Sequence, residues 1–130
     1  MRKRVVFLFT ALFFGISFVL SQELPDGIIG AFKKGNAQEL NRYFCDKVDV
    51  IINDNPVNME REKAYEKMAA FFSTNKVSGF NVNHKGNRGE SSFVIGTLIT
   101  STGSYRVNCF LKKDKSKYYI HQIRIDKVNE

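Results

Sequence analysis

Apolar residues recur at helical spacing over the early part of the chain and alternate one by one over the later part. Ile28, Ile29 and Phe32 share one helical face, Pro25 can open that helix, and Gly35 can stop it. Asn36 with Glu39 three residues on has the arrangement of a capping box, so a second short helix follows, with Leu40, Tyr43 and Phe44 on one side. The β-branched run over residues 48–52 predicts a strand, and Asn53-Asp54-Asn55-Pro56 predicts a turn. Residues 60–73 predict a longer helix, with Ala64, Met68 and Phe71 beside Tyr65, Ala69 and Phe72 as its apolar stripe.

Beyond Asn75 the period changes to two. Phe80, Val82 and His84 alternate with Asn81, Asn83 and Lys85, and a turn over residues 87–90 leads into a strand over residues 93–100. Thr102-Gly103 reverses the chain. Tyr105, Val107, Cys109 and Leu111 then alternate with polar positions, and a last strand covers residues 118–127. The predicted order is α-α-β-α-β-β-β-β. Strands of this kind need a cover on one face, and the three helices are the available cover. The fold class expected is α+β: two short helices, a strand, a longer helix, then a curved antiparallel sheet wrapped on the helices.

The first residues follow a different logic. Arg2, Lys3 and Arg4 precede an uncharged stretch over residues 5–20, and Val19 and Ser21 supply small residues at a cleavage point. A basic start, a short apolar centre and small residues form a secretory signal. The expectation is a signal peptide over residues 1–21, a single domain over residues 22–130, and an exported protein, periplasmic or secreted, with no membrane attachment after cleavage. The apolar run is shorter than the roughly 20 residues that span a bilayer.

Composition narrows the classes further. A chain of 130 residues that is 43% hydrophobic has room for one globular domain and no more. Loss of the first three cations lowers the formal charge from +7 to +4. Cations and anions balance over residues 22–104, so the excess lies late, largely in Lys112, Lys113, Lys115 and Lys117. So local a cluster reads as a solvated hairpin turn, with contact to an anionic surface or polymer as the functional alternative; nucleic acid is not an expected partner.

Familiar chemistries fail on spacing. Ser73-Thr74-Asn75-Lys76 has the S-x-x-K form, but the companion S-D-N and K-T-G elements are missing, so it reads as a helix terminus. Cys45, His84, Cys109 and His121 lack the short paired spacings of a structural metal site, and no metal or cofactor is expected. Export and an even cysteine count permit a Cys45–Cys109 disulfide; the strand alternation equally permits Cys109 as a small buried hydrophobe.

The stretches IIGAFKKGNAQELNRYF (residues 28–44), FVIGTLITSTGSYRV (residues 93–107) and IHQIRIDK (residues 120–127) resemble a family of small exported Bacteroidetes-type proteins catalogued as a domain of unknown function. The order of elements resembles the nuclear transport factor 2-like superfamily, whose cone-shaped, cystatin-like fold is shared with ketosteroid isomerase. The resemblance implies a fold and no reaction. In such a fold Tyr43, Tyr65, His84, Tyr105 and His121 are the candidates to line a pocket between helices and sheet. Isomerase-like chemistry needs an acid or base and a proton donor in one cavity, and His84 with Tyr105 is the pair to examine.

The strand over residues 93–99 is apolar on both faces, and by strict alternation Phe93, Ile95, Phe110 and Ile120 fall opposite the core set. An apolar outer sheet face marks a partner or a second copy. The expected function is therefore a non-catalytic binding domain for a small ligand or a protein, acting through the helix–sheet pocket or the open sheet face. The alternatives are a small isomerase-like enzyme acting on an apolar or carbonyl compound, and a structural homodimer.

Overall fold

The computed structural model describes residues 26–128; the signal-peptide expectation over residues 1–21 lies outside them. Helix α1 (Asp26–Lys34) ends at Gly35, whose φ of 62° is the left-handed conformation that stops a helix without steric cost. Asn36 then caps α2 (Ala37–Asn41), its side chain accepting from the Glu39 amide at 3.1 Å. Strand β1 (Phe44–Ile52) and strand β2 (Asn55–Glu60) form a hairpin, followed by α3 (Arg61–Thr74). The long strands β3 (Val77–Arg88), β4 (Ser91–Thr100), β5 (Gly103–Asp114) and β6 (Lys117–Lys127) complete the domain.

The six strands form one sheet in the order β2-β1-β6-β5-β4-β3. All neighbours are antiparallel except β1 and β6, which run parallel. Helix α1 packs on β3, and α3 packs on β1, β2 and the short α2. The helices thus cover one face of the sheet, as the amphipathic patterns predict.

The space between the two layers is filled with side chains. Ile28, Phe32, Leu40, Phe44, Met68 and Leu98 have no exposed surface, and Val107, Leu111, Ile123 and Ile125 are likewise fully buried. Phe32 packs against Phe80 and Phe72 with ring centroids 5.1 and 6.5 Å away. Each such side chain contributes about 1.5–3 kcal/mol when taken fully out of water, so this layer holds the fold together.

Three expectations differ from the structure. The second helix stops at Asn41, so Phe44 opens β1, which begins four residues earlier than expected, and does not lie on the helix with Leu40. Residues 55–60 form a strand rather than continuing the turn. Asn53 and Asp54 alone make the reversal, with φ of 52° and 67°, and Pro56 is tolerated because β2 is an edge strand. Ile120 does not share the outer face with Phe93, Ile95 and Phe110; it is fully buried opposite Leu111. The pairing register of β5 and β6 shifts between Phe110 and Leu111, so Phe110 pairs with Gln122 while Leu111 pairs with Ile120. His121 is the extra residue of that bulge. It resets the alternation, and Ile120 and Ile123 both face inward although they are three positions apart.

Candidate functional site

The inner side of the sheet carries one of the proposed chemical groups, and the fold uses it. Tyr105 is buried on β5 with its ring edge-on to Phe71 at 5.2 Å. Its hydroxyl lies 3.1 Å from Asn75 Oδ1 and 3.0 Å from Thr102 Oγ1. Asn75, also buried, donates through its side-chain nitrogen to the Phe71 carbonyl at 2.8 Å. The network ties the C-terminal end of α3 to the β4–β5 turn, which satisfies polar groups that burial would otherwise penalise.

The other four pocket candidates do not join it. Tyr43 is half-buried below α1, where its hydroxyl occupies the space a side chain at Gly27 would need. Tyr65 is half-buried on α3 and lines a shallow surface groove with Asn41 and Lys47. His84 is exposed; a register shift in β3 after Val82 turns it toward the outer face, 5.3 Å from the Phe93 ring. His121 occupies the β6 bulge. Burial lowers its pKa, the Lys112 charge adds to that, and Asp49 opposes them. His84 and Tyr105 therefore do not converge on one cavity, and Ser73 and Lys76 of the S-x-x-K match fall at and beyond the end of α3.

Both cysteines are free. Cys109 lies in the buried row Val50–Ile123–Cys109–Val94, where burial pushes its thiol pKa far up. Cys45 follows the buried Phe44 on β1 and is half-exposed beside Lys112 and Arg61; partial burial raises its pKa and those cations oppose the rise. Strand β6 separates β1 from β5, and the disulfide that the cysteine count permits is not formed. Among the described residues no group of three or more His, Cys, Asp or Glu side chains is placed to hold a metal ion, and no helix is long and apolar enough to cross a membrane.

The outer face of the sheet carries a second group of apolar side chains. Phe93 on β4 sits directly opposite Phe110 on β5, with Ile95 beside them and Ile99 exposed farther along β4. The half-buried Asn108 pairs with Ile95 on one side and Arg124 on the other, and its side-chain oxygen is covered yet has no hydrogen-bond partner. Arg124 binds Asp126 at 2.8 Å and also reaches Asp54. The face is an apolar centre edged by charges of both signs.

One feature drew only part of its residues from the sequence reading. Arg61, the first residue of α3, comes together with Asp46, Lys112, Lys113, Asp114 and Tyr119 around an open groove of about 530 Å³. The lysine run was visible in the sequence. Nothing there linked it to Arg61, because the link is made by the β1–β6–β5 pairing.

Comparison with known proteins agrees with this architecture. A family model described as a domain of unknown function, DUF4783, matches residues 25–126. The crystal structure of a DUF4783 family protein from Bacteroides ovatus is similar at 59% identity, with a TM-score of 0.82 over 84% of this chain and 99% of that one. One from Bacteroides uniformis matches at 58% identity and a TM-score of 0.80, covering 82% and 99% of the two chains. A domain of unknown function with a cystatin-like fold from Nostoc punctiforme has 12% identity and a TM-score of 0.63, over 81% and 73%, which speaks for the fold alone. No curated protein matches the chain.

Proposed function

We propose that this chain, which belongs to the DUF4783 family of domains of unknown function and has the nuclear transport factor 2-like fold, is an exported, non-catalytic binding domain that meets a protein partner through its outer sheet face. The observation that carries the proposal is the division of apolar side chains between the two faces of the sheet. The inner set is fully buried under the helices, while Phe93, Ile95 and Phe110 gather on the side that no helix covers. All three are half-buried, with Ile99 exposed farther along β4, and partly exposed apolar patches with a charged rim are characteristic of contact surfaces. The packed interior leaves the small-ligand pocket unsupported, and the separation of His84 from Tyr105 removes the support for isomerase-like chemistry. Export rests on the leader-like pattern of residues 1–21.

A photo-crosslinking side chain placed at Phe110 tests the contact surface, with the same group at the exposed Lys67 on α3 as control. The expected result is one discrete adduct from position 110 in cells, its mass naming the partner or a second copy. Position 110 giving no more adduct than position 67 would overturn the proposal.

A further inference from the structure

The groove at the start of α3 has a charge pattern that selects a class of ligand. Arg61 and Lys112 bring cations to it, Asp46 and Asp114 bring carboxylates, and Lys113 borders it with its ammonium 6.0 Å from the Tyr118 ring. Arg61 is held in place: one Nη2 hydrogen bond runs to the Phe44 carbonyl at 3.1 Å, and Asp46 lies 3.9 Å away. A guanidinium has five N–H donors, so several remain for a ligand. Arg61 also opens a helix of 14 residues, where the partial positive charge of the helix adds to its own. Tyr119 supplies a half-buried ring and a hydroxyl at the same place.

These groups discriminate among anions. A densely charged ligand such as a diphosphate would meet the two carboxylates at close range. A neutral ligand would leave the cations without a role. A single carboxylate carried on a hydroxyl-rich ring uses every group: cations for the carboxylate, aspartates as acceptors for hydroxyls, and an aromatic face for the ring. The volume lies within the usual range for small-molecule sites, about 300–1,000 Å³.

We propose that this groove binds an acidic sugar residue of the uronic acid type, its carboxylate held by Arg61 and Lys112 and its hydroxyls accepted by Asp46 and Asp114. The site is independent of the outer-sheet contact, and either can fail alone. The sugar acid can be free or part of a polysaccharide, and the experiment separates the two.

The test is titration of the isotopically labelled chain, followed by amide chemical shifts, with sodium glucuronate, sodium trigalacturonate, glucose and sodium sulfate. Saturable shifts at Cys45, Arg61, Lys112 and Tyr119 are expected with one or both uronates, and none of that size with glucose or sulfate. Tighter binding of trigalacturonate than of glucuronate identifies a polymer as the source; the reverse identifies the free acid. Arg61→Lys keeps the charge but loses the planar fork, and is expected to weaken binding roughly tenfold. Because Arg61 also holds the Phe44 carbonyl, Lys112→Gln at an exposed position gives a second reading, with weaker uronate binding expected at unchanged thermal stability. Equal shifts with sulfate, equal shifts with glucose, or no shift with either uronate would each overturn the proposal.

Discussion

The Tyr105 hydroxyl is shared between Asn75 and Thr102 in a buried network, so Tyr105→Phe removes one bond from Asn75 Oδ1, which keeps its bond from the Thr102 hydroxyl. The expected cost is about 0.5–1.5 kcal/mol, measured by urea unfolding. Gly96 makes a second test: a Cβ there would stand 2.5 Å from the Phe80 ring and 2.7 Å from the Asn81 carbonyl. Gly96→Ala should cost about 1–3 kcal/mol by the same measurement, because a backbone neighbour cannot move aside as a side chain can. His121 governs a pH dependence. Burial and Lys112 lower its folded pKa, so the unfolded chain takes up the proton more readily. Stability is then greatest above the ordinary histidine value of about 6.5, falls as pH drops through it, and levels off below the folded pKa. His121→Gln should flatten that fall. At this scale the sequence was informative wherever alternation ran unbroken: Tyr105, Val107, Cys109 and Leu111 all face inward. It misled at Ile120, since a single extra residue in the ladder inverts every parity argument beyond it.

Secondary-structure elements were legible where their ends carry side-chain chemistry. Gly35 and Asn36 mark the break between α1 and α2, and the apolar stripe of α3 is the buried one. Asn36→Ala removes the acceptor for the Glu39 amide and should cost about 1 kcal/mol in thermal or denaturant unfolding, with the sheet unchanged by circular dichroism. The edge strand β2 was not legible. Its asparagines and proline suit a turn as well as an edge, and pairing with β1 decides the matter. The parallel alignment of β1 with β6 was equally invisible. It joins residues about seventy positions apart, through contacts that no local pattern encodes.

For the whole molecule, the cover of helices over one sheet face followed from amphipathicity, while the candidate site did not. The groove of Arg61, Lys112 and Tyr119 exists only once β1, β5 and β6 are laid side by side, and of the five pocket candidates only Tyr105 joins the interior, which apolar side chains otherwise fill. The central claim is that the inner face carries the stability of the fold and the outer apolar face is surplus to it. Leu98, fully buried, and Phe110, on the uncovered side, put that claim to a direct comparison by urea unfolding of Leu98→Ala and Phe110→Ala. The account predicts a loss of about 2–5 kcal/mol for Leu98→Ala and less than about 1.5 kcal/mol for Phe110→Ala. Equal losses, or a larger loss at Phe110, would contradict it, because the outer rings would then be holding the domain together.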